Sequence, residues 1–223
     1  MGRPKAWLPV GDELMLQRVV RVLSEVVNPV IVVAAPRQNV PPLPGEVGVV
    51  LDQVEGQGPL GGLAAGLAAM QGRAEMVYVS ACDVPLLRCG FVRRVLTHLS
   101  PGGKGVGGQH LSPADACGSG TQWTSQGRGS FAVAVPRIAD FFHPLAAVYR
   151  VDLLPVVRQL LASGQFKMTA LFDTVPTRVL TEVDFADVDP HLESLRNVNT
   201  PEEYERLFSS PLGERNRSPL PHP

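Results

Sequence analysis

No stretch of this sequence is apolar for long enough to span a bilayer, and Met1-Gly2-Arg3-Pro4-Lys5 leads into no secretion-signal core. These absences lead us to expect a soluble, untargeted protein. Net charge is equally scarce: 20 basic residues stand against 21 acidic ones, for a formal charge of -1. No global field therefore draws in nucleic acid or an anionic membrane, and any phosphate binding must be local. Cysteine is sparse as well. Cys82, Cys89 and Cys117 have neither the spacing of a zinc or redox pair nor an even count for a disulfide framework, which fits a reducing cytoplasm. The order of a Ser-His-Asp triad, zinc-ligand spacing and a basic-aromatic stripe are all missing.

What is present is enough apolar material for one sizeable core: 44% of 223 residues. Asp12 can cap a helix with Leu16, Val19, Val20, Leu23, Val26 and Val27 at helical spacing, ending before Asn28-Pro29. Apolar runs at 30–35, 47–51 and 76–80 read as strands, separated by Pro and Gly punctuation and by an Ala-rich helix at 63–70. A helix near 91–99 comes next. Strand, loop, helix and strand recur, the pattern of an α/β fold with a Rossmann-like, mostly parallel sheet flanked by helices. Residues 100–130 break that pattern with Gly and Ser and read as a mobile insertion. Strands at 131–135, 143–149 and 178–183 and helices at 152–161 and 201–208 complete a single domain over 1–208. Thr200 is placed to cap the last helix, and the Pro- and Ser-rich tail 209–223 reads as disordered.

The most informative residue is Asp83, which closes the run Met76-Val77-Tyr78-Val79-Ser80 after Ala81 and Cys82. A carboxylate at the carboxyl end of a buried strand faces the ligand crevice of an open parallel sheet. Asp52 repeats the arrangement after Val47-Gly48-Val49-Val50-Leu51, and if the two strands are parallel neighbours the carboxylates converge, as a magnesium-dependent reaction on phosphates would require. The ordinary reading of either is a turn or cap aspartate. Gly56-x-Gly58-x-x-Gly61 matches the dinucleotide fingerprint formally, yet four residues separate the strand from its first glycine and Pro59 removes an amide from the turn. A loop whose amides meet an anion or a base at a helix start is the better reading. Lys5 can neutralise phosphate charge, although a terminal lysine is usually solvated. His143 is as readily structural as functional, and Asn197 and Asn199 flank a helix start where simple capping would explain them.

Taken together, Met1-Gly2-Arg3-Pro4-Lys5-Ala6, Leu51-Asp52, Gly58-Pro59-Leu60-Gly61-Gly62-Leu63, Ala81-Cys82-Asp83-Val84-Pro85, His143 to Tyr149 and Asn197-Val198-Asn199-Thr200-Pro201-Glu202-Glu203 resemble the molybdenum cofactor guanylyltransferase family, the MobA type of nucleotidyltransferase. The resemblance implies transfer of GMP from GTP to molybdopterin or its molybdenum-loaded form, with release of pyrophosphate and with Mg2+ as cofactor. On it, Lys5 and Asp83 are the catalytic pair, and Asp52, Gly58, Pro59, Leu60 and Gly61 join them in binding the nucleotide. Asp83 and Asn199 hold the metal, and His143, Asn197 and Asn199 line the pterin side. Transient contact with cofactor-synthesis proteins or acceptor molybdoenzymes is implied too. The family's first strand and glycine-rich loop precede the point where this sequence starts, so the expected sheet has two interior strands that each lack a partner. A cytidylyltransferase acting on the same pterin, and a remnant that binds without transferring, remain open.

Overall fold

The structure is a computed structural model that describes residues 4–52, 54, 56–99, 110–111 and 130–208. Most of the expected insertion and the whole expected tail lie outside the described residues, as do Met1, Gly2 and Arg3.

After a 3-10 turn at Lys5–Trp7 the chain forms a two-stranded hairpin, β1 (Pro9–Val10) and β2 (Glu13–Leu14), then α1 (Met15–Ser24). The hairpin was not legible in the sequence, and it corrects the role of Asp12. That residue sits in the turn beside Gly11, whose φ of +63° suits glycine, while helix α1 starts only at Met15. At the helix start the Leu14 amide donates to Gln17 Oε1 at 2.9 Å. Leu16, Val19, Val20 and Leu23, at helical spacing, are buried as expected.

Next come β3 (Ile31–Ala34), β4 (Gly48–Leu51), α2 (Gly58–Met70), β5 (Met76–Ser80) and α3 (Cys89–Thr97). Helix α2 accepts Pro59 in its first turn, where a missing amide costs nothing, and turns Leu60, Leu63, Leu67 and Met70 into the core. The remaining strands are β6 (His110–Leu111), β7 (Val133–Ile138), β8 (Phe141–Phe142), β9 (Ala146–Arg150) and β10 (Thr177–Leu180); the remaining helices are α4 (Leu154–Ala162), α5 (Thr169–Phe172) and α6 (Pro201–Phe208). β6 is a short strand inside the segment read as a mobile insertion, and it pairs antiparallel with β10. The expected strand at 178–183 stops at Leu180, because the Thr181 amide donates to Asp184 Oδ2 at 2.7 Å and starts a 3-10 turn.

The α/β class stands, with a mixed rather than a mostly parallel sheet. The larger sheet has the order β5-β9-β7-β10-β6, with β8 on β7. β9 runs antiparallel to both β5 and β7, whereas β7 and β10 are parallel. On one face lie α2, α4 and α5 around Leu60, Leu67, Tyr149, Leu153 and Phe172. On the other lie α1 and α3 around Val19, Phe91, Val95, Val148 and Phe185, with the Phe91 and Phe185 rings stacked at 4.5 Å.

β3 and β4 form a separate parallel pair. β4 leads through α2 into β5, which belongs to the larger sheet. Yet β3 and β5 do not pair. A cavity of about 710 Å3, lined by residues of both strands and of α1 and α2, lies between them.

Candidate active site

Three distant segments meet at the carboxyl end of β5. Leaving Ser80, the chain passes through Ala81, whose amide donates to Leu145 O at 3.1 Å, and reaches Asp83. The second segment is the opening turn. Trp7 N donates to Pro4 O at 3.0 Å, the Trp7 indole donates to Asn39 O at 3.0 Å, and Ala6 is buried against Leu16, Val20 and Val47. Held this way, Lys5 Nζ donates to Asp83 Oδ2 at 2.7 Å and to Asn199 Oδ1 at 2.6 Å. The third segment is 197–199. Val198 N donates to Asp83 O at 2.9 Å, and Asn197 Nδ2 donates to Asp83 Oδ1 at 2.8 Å. Both carboxylate oxygens of Asp83 are thus engaged by side chains, and the residue is only 8% exposed.

The capping of α6 fixes the 197–199 segment. The Asn199 and Thr200 amides donate to Glu203 Oε2 at 2.7 and 3.1 Å, and the Glu203 amide donates back to Thr200 Oγ1 at 3.2 Å. This reciprocal pair is a capping box. The helix is then locked to the amino-terminal hairpin, since the Tyr204 hydroxyl donates to Pro9 O and Val198 packs with Val10 and Met15. Thr200 is the cap expected from sequence. Glu203 and Tyr204 were missed as positioning residues, although Thr-x-x-Glu at 200–203 is the sequence signal for the first.

Asp52 lies elsewhere. β3 and the cavity separate β4 from β5, so the two strands are not neighbours and the premise for a shared carboxylate pair fails. Asp52 instead faces the start of α2: its Oδ2 is 3.2 Å from where a Cβ on Gly61 would stand, and Gln57 Cβ is 2.7 Å from the same point. Any larger residue at 61 would therefore collide with these two side chains. Gly58 has φ of +59°, again a glycine conformation. Leu60 is fully buried and Pro59 has no amide, so Leu60 can offer a ligand only backbone groups and Pro59 only its ring and carbonyl.

His143 precedes β9, whose first residue pairs with Ser80, which puts it at the same end of the sheet as Asp83. The hydrogen bonds and ion pairs that tie Lys5, Asp83, Asn197 and Asn199 together do not include His143. Burial lowers its pKa, so the ring is neutral near pH 7. Burial, and then the Asp83 carboxylate, push the Cys82 thiol up against the opposing pull of Lys5. The thiol stays protonated and is no nucleophile.

Among the described residues no group of three or more His, Cys, Asp and Glu is placed to hold a metal, and no helix is long and apolar enough to cross a membrane. The donor set at Asp83 still suits a hard cation that draws its other ligands from water and phosphate. Carboxylate and amide oxygens, Asp83 Oδ2 and Asn199 Oδ1, already converge on one positive charge, the Lys5 ammonium, at 2.7 and 2.6 Å. What the arrangement offers chemically is a cationic side chain and two oxygen donors at the mouth of a sheet, with no covalent nucleophile activated beside them.

Residues 1–178 match the family model of the MobA-like NTP transferase domain. The chain belongs to this family. Among its MobA-like relatives, the probable molybdenum cofactor guanylyltransferase of Mycobacterium marinum is 32% identical over 203 residues, covering 90% of this chain and 83% of that protein. The protein of the same name from Carboxydothermus hydrogenoformans is 26% identical over 212 residues, covering 93% and 88%. The molybdopterin-guanine dinucleotide biosynthesis protein A of Archaeoglobus fulgidus has the same fold, with a TM-score of 0.63 at 18% identity over 93% of this chain and 90% of that one. A manganese complex of Rv0371C from Mycobacterium tuberculosis superposes with a TM-score of 0.50 at 17% identity, covering 94% of both chains. The MobA-like assignment makes this chain a nucleotidyltransferase, against the dinucleotide-fingerprint reading of Gly56-x-Gly58-x-x-Gly61.

Proposed function

We propose that this nucleotidyltransferase moves GMP from GTP to the terminal phosphate of molybdopterin, in its free or molybdenum-loaded form. The observation that carries the reading is the junction of Lys5, Asp83, Asn197 and Asn199 at the end of β5, in a chain whose similar relatives bear the guanylyltransferase name. An oxygen of the pterin phosphate attacks the α-phosphorus of GTP. The bond from that phosphorus to the bridging oxygen breaks, and pyrophosphate leaves with the electron pair. Such a displacement asks the protein for alignment and charge neutralisation rather than for a covalent intermediate, which matches a site that has no activated nucleophile.

Lys5 would turn from Asp83 to the triphosphate, since an ammonium on a flexible stem exchanges one anion for another at little cost. Asp83 and Asn199 would hold Mg2+, which supplies charge neutralisation on the phosphate oxygens when bound. Asn197 keeps the Asp83 carboxylate aimed while Lys5 moves. Asp52, apart from the Asp83 cluster and beside α2, serves the nucleotide better than the metal: its carboxylate is an acceptor suited to the N–H edge of guanine. The Gly58 to Gly61 turn lets the nucleotide approach the backbone, and His143 with Asn197 and Asn199 lines the pterin side. Residues 1–208 act, on this reading, as one nucleotidyltransferase domain.

The test is pyrophosphate release by the full chain with molybdopterin and Mg2+, run with GTP and with CTP, beside calorimetric titration of GTP, CTP and NAD. GTP should be bound and turned over. Turnover with CTP alone would reassign the base, and nucleotide binding without pyrophosphate release would support a non-catalytic binder.

A further inference from the structure

Helix α2 begins beside a residue that does not serve it. Gln57 occupies the position before Gly58–Met70 where a short polar side chain would cap the helix, and its side chain makes no capping bond. Among the described residues it has no other hydrogen-bond partner, yet it does not extend into water. Its Cβ and Oε1 stand 2.7 and 3.3 Å from the point a Cβ on Gly61 would take, so the carboxamide is folded back over the first turn. Asp52 Oδ2 lies 3.2 Å from the same point. A carboxylate that only accepts and a carboxamide that both donates and accepts thus stand side by side over one glycine. Both residues are half-buried, and both line a groove of about 620 Å3 floored by Gly61, Ala64 and Ala65. The Val54 amide reaches Asp52 Oδ1 only at 3.4 Å, and among the described residues Oδ2 accepts nothing.

We propose that Gln57 is a base-specificity residue: its amide donates to O6 of guanine while Asp52 accepts from the ring N–H and the 2-amino group. The inference rests on the guanylyl-transfer reading for its ligand and adds to it the residue that separates guanine from the other bases. Along its pairing edge guanine presents one acceptor followed by two donors, which asks the protein for one donor and two acceptors. Asp52 alone can read only the donors. Adenine and cytosine carry an amino group where guanine has O6, and a bare ring nitrogen where guanine has its ring N–H. Each would set that amino group against the Gln57 donor and a lone pair against the Asp52 carboxylate. Turning the carboxamide over would accept the amino group, but the lone pair would still face the carboxylate. With no fixed partner, the carboxamide presents its Nε2 to the base at little cost, because the terminal torsion of glutamine is broad. A side chain at 61 would fill the space the two groups share, so the glycine there keeps them within reach of one base.

The test is calorimetric titration of the full chain, with Mg2+, against GTP, against ITP, which lacks the 2-amino group, and against the triphosphate of 2,6-diaminopurine riboside, which has an amino group in place of O6. Gln57→Met keeps the length of the side chain and removes both hydrogen-bonding atoms. It should weaken GTP about tenfold and narrow the preference for GTP over the diaminopurine nucleotide by about the same factor. The preference for GTP over ITP belongs to Asp52 and should stay as in the parent. Gln57→Glu, of nearly the same shape, puts an acceptor opposite O6 and should shift the preference further toward the diaminopurine nucleotide. The added negative charge cancels in that ratio, since both nucleotides carry the same triphosphate, and this variant keeps the test alive should Gln57→Met fold poorly. Equal GTP affinity in the parent and Gln57→Met would overturn the proposal. So would a loss that narrows both preferences alike, since Gln57 would then act only through the placement of Asp52. A parent that binds GTP with these preferences yet releases no pyrophosphate would refute the transfer reading while the base reader stands; pyrophosphate release from GTP with equal KM in the parent and Gln57→Met would do the reverse.

Discussion

The two sheets are built from similar residues and meet different fates. Ile31-Val32-Val33-Ala34 and Gly48-Val49-Val50-Leu51 are as β-branched and apolar as Val133 to Ile138, yet Val49 and Leu51 are 51% and 53% exposed while every residue of β9 is buried. β-propensity brought both sets into strands, but burial depended on how many neighbours each strand acquired. A strand pair has one shared edge and marginal stability of its own, whereas β9 is flanked on both edges and covered on both faces. The same contrast separates the two aspartates. Asp83 hangs from the larger sheet and is engaged by side chains from both ends of the chain. Asp52 hangs from the strand pair, and its carboxylate accepts from the Val54 amide, two residues away, at a long 3.4 Å.

That comparison is open to attack, first through catalysis. Asp83→Ala should lower kcat/KM for pyrophosphate release about a thousandfold, roughly 4 kcal/mol of transition-state stabilisation, with the fold intact by circular dichroism. Asp52→Ala should act mainly on KM for GTP. Equal losses in the same kinetic parameter would put both carboxylates in one shared role and erase the distinction. Packing gives the next effect in size. Val148→Ala, in the fully buried centre of β9, should cost about 2 kcal/mol in urea unfolding, because a cavity opens where two methyls are removed. Val49→Ala on the exposed strand should stay within about 0.5 kcal/mol. Similar values would mean that the strand pair is as tightly covered as the larger sheet.

Thr200→Ala should cost about 1 kcal/mol by removing one side of the capping box, and it should loosen 197–199. Slower turnover with unchanged GTP affinity would sharpen the link between that cap and the Asp83 cluster; unchanged turnover would cut it. The smallest effect is a pH dependence. Burial depresses the pKa of His143 in the folded state below its ordinary 6.5. Below about 6.5 the unfolded chain therefore binds protons that the folded chain does not. The stability associated with the neutral ring is fully present above that pH and is lost as the pH falls through the depressed folded value. His143→Gln should flatten the Tm-versus-pH curve over that window, and an unchanged slope would mean that the ring titrates as if exposed.

Much of this was legible before the structure. Asp83 stood out because a carboxylate just past a buried strand faces the crevice of such a sheet, and the structure brings Lys5, Asn197 and Asn199 together around it. The register of α1 and the start of α6 were readable from helical spacing and from Thr200. What was not legible depended on long-range pairing. Nothing local to Asp52 says that β4 and β5 lie in different sheets, and nothing in Ala146 to Arg150 says that the strand runs antiparallel to both neighbours. The opening hairpin escaped notice because its strands, Pro9–Val10 and Glu13–Leu14, are too short for any period to show. Arg178 to Val183 misled because the apolar pattern continues past the point where the Asp184 carboxylate captures the Thr181 amide.

Lys5 and Asn199 are 194 positions apart in sequence and 2.6 Å apart in space. Closing a loop of that size is slow and cannot occur until nearly the whole chain has left the ribosome. Substrate competence should therefore be the last property acquired in folding, after both sheets have formed. Incomplete chains cannot assemble the Lys5–Asn199 contact even where the cavity and the core have formed, and this would spare the cell from partially made molecules that hydrolyse or sequester nucleotide.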